Sequence, residues 1–308
     1  MSASVRVVKE KNVRPSYGFD MPLNKYKPLI ALLLALLSAA CTLSDKAKEA
    51  EASPSIEKVV DLTDFFPAID PDDATFVVFH PSSGQIIRHN AARAQQQFIP
   101  ASTYKIPNSL IALETGVAKG AEHIIPWDSA VKPAKGFWSA EWSRDHTLRS
   151  AIRLSVYWYY QALAREIGAE RMQKYVNQFD YGNRDIGGGI DQFWLHGDLR
   201  ISPNEQVRFL ERMYNGELGL SARSTRIVKE ILVLEENKDY RLSGKTGTAD
   251  VTATRELAWL VGFVEREGDV WFYALNMEGE QVWEQWGSSS KRVALVRSLL
   301  QELEVLPD

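Results

Sequence analysis

The strongest constraint on this chain is where its strand-like segments fall. Residues 75–79 and 85–88 are short apolar, β-branched runs separated by Pro81, Ser82, Ser83 and Gly84, a spacing that predicts a hairpin. A second pair, 257–264 and 270–276, surrounds Glu267, Gly268 and Asp269 and predicts two more antiparallel strands. Between these blocks the pattern changes period. Apolar residues recur at three- and four-residue steps over 104–114, 148–167, 169–179, 203–214 and 224–234, and again over 290–303. A sheet whose strands lie at both ends of a helical stretch closes only when the last strands arrive. The fold class expected is therefore α/β (α+β): a central antiparallel sheet flanked by helices, with an all-helical lobe at about 104–235 inserted between sheet segments. The crevice between the two parts is the natural place for chemistry. At 308 residues and 45% hydrophobic composition, the chain is long enough to bury a core of that size.

Charge excludes several partners. The formal net charge is -4 and the Lys and Arg residues form no stripe, so nucleic acid is not an expected partner. His80, His89, His123, His146 and His196 are far apart and Cys41 is the single cysteine, so no ligand spacing for a metal can be written.

The N-terminus carries the compartment information. Lys25 and Lys27 precede an apolar run at 29–37, which ends in Ser38, Ala39 and Ala40, the layout of a signal peptide. The run falls short of the roughly 20 apolar residues that spanning a bilayer requires. Residues 1–40 are thus read as a signal peptide region, and Met21 is its more conventional start because it leaves a short basic leader. Small residues before Cys41 also resemble a lipobox, with Leu37 one place further from the cysteine than usual. Two outcomes stay open: cleavage after Ala40, or a lipid anchor on Cys41. Residues 41–55, rich in Lys, Glu, Ala and Ser, read as a solvated tether, with the folded domain at 56–308. The expected location is periplasmic, secreted or membrane-tethered, as a monomer or homodimer.

Ser102 and Lys105 follow Phe98, Ile99, Pro100 and Ala101 and open a helix. Three residues apart, their side chains share a face, so the amine can reach the hydroxyl. The helix start adds N–H groups and a positive dipole end that favour an oxyanion. The spacing alone is weak, since Ser55 with Lys58, Ser129 with Lys132 and Ser288 with Lys291 repeat it. A second feature is Lys245, Thr246, Gly247 and Thr248. A phosphate loop would need glycine five places before Gly244 and meets Asp239 instead. On an edge strand, Lys245 and Thr246 offer a cation and a hydroxyl to a substrate carboxylate, while Gly247 lets a ligand approach the backbone. Ser155 and Tyr157, inside the helical stretch 148–167, signify little alone. Together, in this order, the three features resemble the signature of penicillin-binding proteins and class A β-lactamases.

At this point the chain resembles the class D β-lactamases, or oxacillinases, from about Ala74 onward. FIPASTYKIPNSLIALETG at 98–116 looks like the family's nucleophile segment. Tyr181 to Asn183 match its tyrosine motif, Phe193, Trp194 and Leu195 its tryptophan loop, and Trp259 to Gly262 the strand after Lys-Thr-Gly. The resemblance implies a serine β-lactamase/penicillin-binding-protein-like fold and β-lactam small molecules as substrates. It implies Ser102 as nucleophile and Lys105, N-carboxylated by carbon dioxide or bicarbonate, as base for acylation and deacylation, with no other cofactor. It further implies that Trp194 holds the carbamate and that Ser155, near Lys245, passes a proton to the leaving nitrogen. The N–H groups of Ser102 and Thr248 would form the oxyanion hole, and Arg292 would bind the carboxylate. Two positions depart from the family. Tyr157 stands where a small aliphatic side chain is usual, and Thr248 where many members carry an aromatic roof.

Three rival readings compete with this one. A β-lactam sensor acylates without turnover, but carries several membrane helices before its receptor domain. A D,D-peptidase of the penicillin-binding type usually has Asn in place of Tyr157. A Ser-His-Asp hydrolase would need a G-x-S-x-G segment, which is missing.

Overall fold

A computed structural model describes residues 56–130, 138–280 and 282–307 of the chain. The signal segment, Met21, Cys41 and the tether lie outside the described residues, as does Lys132.

Seven strands form one sheet: β1 (Ile56–Val59), β2 (Ala74–His80), β3 (Gln85–His89), β6 (Val233–Glu236), β7 (Arg241–Asp250), β8 (Glu256–Arg266) and β9 (Asp269–Gly279). Their spatial order is β1-β3-β2-β9-β8-β7-β6. The hairpin predicted at 75–88 forms, with Val78 opposite Ile87, and the late pair forms with Val261 opposite Ala274. β2 and β9, from opposite ends of the chain, join the two blocks. Among the described residues only β1 runs parallel to its neighbour, β3, so the sheet is antiparallel with one parallel edge.

The two-residue period of the strands separates two cores. Val77, Trp259, Val261, Phe263, Phe272 and Ala274 face the helical region. Phe76, Val78, Leu260, Val264, Tyr273 and Leu275 point the other way, against Val296, Leu299 and Leu300 of the last helix. β8 is buried on both faces, which explains its nearly unbroken apolar run.

The helices are α1 (Lys105–Glu114), α2 (Leu148–Arg153), α3 (Tyr157–Ile167), α4 (Ala169–Gln178), α5 (Pro203–Tyr214), α6 (Ala222–Ile231), α7 (Val282–Trp286) and α8 (Ser289–Glu302). Three local readings change. The helix expected at 148–167 is two helices, broken where Ser155 takes a φ of 56°. Apolar periodicity cannot register a left-handed residue. The helix expected to reach 234 stops at Ile231, because Leu232 accepts a hydrogen bond from Gly244 and Val233 joins β7 as a strand. Within the helical region, β4 (Ile124–Ile125) and β5 (His146–Thr147) form a small ladder, so that region is not wholly helical.

Candidate active site

Ser102 sits on a single 3-10 turn, Ala101–Tyr104, and Lys105 is the first residue of α1. The Pro100 carbonyl staples this turn, accepting from the Thr103 N–H at 3.1 Å and the Thr103 hydroxyl at 2.7 Å. Ala101 enters it with a φ of 48°, a conformation costing about 1 kcal/mol for a residue with a Cβ. That strain sits immediately before the serine. Lys105 Nζ donates to Ser102 Oγ at 2.7 Å. The lysine is 1% exposed, no carboxylate pairs with it among the described residues, and burial alone lowers its pKa to about 7. Near neutral pH a large fraction of this amine is uncharged.

The loop carrying Trp194 is wound tightly. Phe193, Leu195, His196 and Gly197 all donate to carbonyls of Gly189 or Gln192. A Cβ on Gly188 would stand 2.6 Å from Gly197 Cα, and one on Gly197 would stand 2.5 Å from Phe193 Cα. Only glycines permit that crossing. The loop presses Trp194 against Tyr104, with ring centres 5.5 Å apart and planes 22° from parallel, while Phe193 and Tyr181 meet the same tyrosine edge-on. Trp194 is 1% exposed and its Nε1–H has no hydrogen-bond partner among the described residues. An orphaned buried donor is costly and marks a place where an acceptor belongs.

β7 supplies the opposite wall. β6 pairs with it only from Arg241 to Ser243, so beyond Gly244 no strand among the described residues covers that side. Lys245 to Thr248 therefore lie on a free edge, whereas the start of the same strand is interior. Gly247 has a packing reason in addition to the ligand approach expected from the sequence. A Cβ there would come within 3.0 Å of the Pro100 oxygen and 3.1 Å of Thr103 Cγ2. The missing side chain lets β7 close against the serine's turn. Lys245 is 96% buried, and its Nζ donates to the Thr246 carbonyl at 2.8 Å. Burial, then the nearby Lys105, then Arg292 push its pKa well down. Arg292 in α8 donates from Nη1 to the carbonyls of Gly247 and Trp259 and from Nη2 to that of Gly287. Its Nε–H has no partner among the described residues, and burial lowers its pKa to about 10.

These walls enclose a cleft of about 720 Å³. Ser102, Lys105, Ser155, Tyr157, Leu195, Thr246, Gly247, Thr248 and Arg292 line it; Lys245 and Trp194 lie behind the lining. Tyr157, at the start of α3, stacks on Trp142 with ring centres 6.5 Å apart. Sequence reasoning passed over Tyr104, Trp142, the glycines of the Trp194 loop, and the outer cleft residues Asp250, Glu256 and Trp283. The run Gly187, Gly188, Gly189 was the one available signal. Among the described residues no cluster of His, Cys, Asp or Glu could hold a metal ion.

Residues 74–301 match the penicillin binding protein transpeptidase domain family. β-Lactamase OXA-48 of Klebsiella pneumoniae is 41% identical over 231 residues, 75% of this chain and 83% of that protein. The structure of a class D β-lactamase from Bacillus subtilis superposes with a TM-score of 0.71 at 37% identity, covering 81% of this chain and 98% of the other. Regulatory protein BlaR1 of Bacillus licheniformis is 33% identical over 99% of this chain and 50% of its own length. The C-terminal domain of that organism's BlaR penicillin-receptor superposes with a TM-score of 0.74 at 30% identity, covering 83% and 100%. With the serine-lysine pair, the buried tryptophan and the Lys-Thr-Gly strand around one cleft, the chain belongs to the class D serine β-lactamases.

Proposed function

We propose that Ser102 is the nucleophile and Lys105 the base with which this enzyme opens β-lactam amides, conferring resistance to those antibiotics. The observation that carries this reading is the 2.7 Å contact between Lys105 Nζ and Ser102 Oγ in a site dry enough to hold the amine near neutrality. Ser102 attacks the lactam carbonyl, and its proton passes toward Lys105. The charge developing on the carbonyl oxygen meets the N–H groups of Ser102 and Thr248. Ser155, facing the cleft from its left-handed turn, hands its proton to the lactam nitrogen as the C–N bond breaks and is reprotonated with the proton that Lys105 took from Ser102. Lys245, near Lys105, belongs to the same relay. Thr246 and Arg292, whose Nε–H is unspent, hold the substrate carboxylate.

The residues around Lys105 also fit its N-carboxylated form. An uncharged lysine is the species that reacts with carbon dioxide, and the unpartnered Trp194 Nε1–H is a donor able to hold a carboxylate there. Such a carbamate supplies an anionic base for both acylation and release of the acyl group. Leu195 and Tyr157 line the same cleft. Export through the signal peptide of residues 1–40 to the periplasm, with or without a lipid on Cys41, belongs to the same reading, as do the tether at 41–55, the catalytic domain at 56–308 and a monomeric or dimeric state.

Mixing the protein with a chromogenic cephalosporin tests the assignment. Sustained hydrolysis, abolished in Ser102→Ala, is expected. A stoichiometric burst with no further turnover favours the second reading, that of a β-lactam receptor. The observation behind that alternative is the likeness of nearly the whole chain to half of BlaR1.

A further inference from the structure

Tyr181, Gly182 and Asn183, the segment that matches the family's tyrosine motif, line no part of the cleft, and the chemistry assigned above leaves them without a task. Their hydrogen bonds show what they hold. Asn183 closes the loop of residues 184–200, which carries Trp194. Its backbone N–H donates to the Arg200 carbonyl at 2.9 Å and its Nδ2 to the Asp198 carbonyl at 2.8 Å. Its Oδ1 accepts from the Arg200 N–H at 2.9 Å and the Asp185 N–H at 3.2 Å. One side chain thus acts as donor and acceptor across the base of the loop, where a carboxylate of the same shape could not donate. Gly182 permits the approach: it has a φ of 56°, and a Cβ there would overlap the Arg200 carbonyl oxygen.

The far end of the loop leads to the nucleophile. Ile201, next after Arg200, exchanges two backbone hydrogen bonds of 2.9 Å with Phe98, in the segment that runs into Ser102. Tyr181 reaches the serine's turn by a second route. Its ring meets Tyr104 edge-on with centres 5.6 Å apart, and its hydroxyl donates at 3.4 Å to Gln206 of α5, whose Nε2 donates to Thr103 Oγ1 at 2.9 Å. The motif therefore fixes the Trp194 loop and the Ser102–Lys105 turn to one another from two sides, while its own atoms stay outside the cleft. What needs such a fixture is the indole, because its unspent Nε1–H can serve Lys105 only while the two elements keep their spacing to within a hydrogen bond's tolerance.

We propose that Asn183 is a positioning residue for the base: by closing the loop of residues 184–200, it sets Trp194 Nε1 to hold the carbamate on Lys105. This deepens the reading of Lys105 given above and rests on it. The carbamate forms as the neutral amine bonds to the carbon of carbon dioxide and one proton is released; the indole acts only on the anion so produced. Loss of the clasp therefore shifts that equilibrium and raises the bicarbonate the enzyme requires.

The test measures the bicarbonate concentration that gives half-maximal hydrolysis of a chromogenic cephalosporin after degassing. Asn183→Asp keeps the shape but sets a carboxylate oxygen against the Asp198 carbonyl, and its requirement is expected to rise about fivefold, with activity regained at saturating bicarbonate. In the Trp194→Phe background the same substitution is expected to add nothing, because the donor it positions is gone. Asn90→Asp makes the same chemical change at a distant turn, where Nδ2 donates to the Ala74 carbonyl at 3.1 Å, and is expected to leave the requirement unchanged whatever it does to melting. Asn183→Ala, free of the carboxylate's repulsion, is read in the same way should the aspartate variant not fold. An unchanged requirement at position 183, or a rise that persists without the indole or is matched by Asn90→Asp, overturns the proposal. A wild-type enzyme that needs no bicarbonate overturns the carbamate reading itself and this proposal with it, so the two failures are distinct.

Discussion

Lys105 and Trp194 are each expensive to bury, and each expense is local enough to measure. A lysine pKa lowered from 10.5 to about 7 means that the folded protein releases a proton which the unfolded chain still holds between those values. Stability therefore rises with pH across that window. Below about pH 7 both states are protonated and the burial penalty is complete, on the order of 5 kcal/mol as an upper bound; above about 10.5 it vanishes. Lys105→Met in carbon dioxide-free buffer is expected to raise stability most at pH 6 and little at pH 10, measured by denaturant melts. A gain independent of pH would remove titration as the cause. Activity has the same origin: in the absence of bicarbonate, kcat is expected to fall about tenfold per pH unit below 7 as the amine protonates. Trp194→Phe keeps the stack on Tyr104 but deletes the orphaned N–H. The variant is expected to fold with near-wild-type stability and to need at least tenfold more bicarbonate for half-maximal activity, read by titration after degassing. An unchanged requirement would detach the indole from the lysine's chemistry.

At the scale of elements, the break between α2 and α3 places Ser155 at the cleft and strains it. Ser155→Ala keeps the Cβ, hence the strain, and removes the hydroxyl. Ser155→Gly relieves the left-handed cost of about 1 kcal/mol and removes the hydroxyl as well. Both are expected to lose activity by at least a hundredfold, while only the glycine variant gains in melting temperature. Activity retained in either would take the proton relay away from Ser155. This turn also shows where sequence reading ends. The hairpins and α5 were legible because apolar period and turn residues report them directly, and α5 begins and ends where its pattern does. The division of 148–167 was not, since Leu154 and Val156 continue the apolar content across a residue whose backbone alone changes. Val233 was ambiguous for the same reason: its apolar neighbours suit a helix, and only the distant strand β7 decides otherwise. At the site, Ser102, Lys105 and Lys245 could be found from motifs. Trp142, Asp250, Glu256 and Trp283 reach the cleft through pairing and packing that no local spacing encodes.

Across the whole molecule, one core ties the catalytic parts together. The cluster that includes Leu110, Tyr160 and Phe209 of the helical region also includes Trp259, Val261 and Phe272 of the sheet, so the helical region has no separate interior. The serine's turn lies at that junction, clamped between β7 through Gly247 and the aromatic packing of Tyr104. Residues 54–308 accordingly cluster as one compact unit. Separate melting of the helices would expose one face of β8 and β9, so the two parts are expected to unfold in a single calorimetric transition with matching van't Hoff and calorimetric enthalpies. Protein beginning at Pro54 is expected to keep that transition and the same kcat/KM for a neutral cephalosporin. Two resolved transitions would show that the lobes are energetically independent. A loss of kcat/KM without a change in melting would mean that residues before Pro54 act on the cleft itself. Gly247→Ala probes the junction directly: its Cβ must displace either Pro100 or Thr103. A destabilisation of about 1–3 kcal/mol is expected. Because the displaced residues hold Ser102, acylation is expected to slow by more than that change in the folded fraction explains.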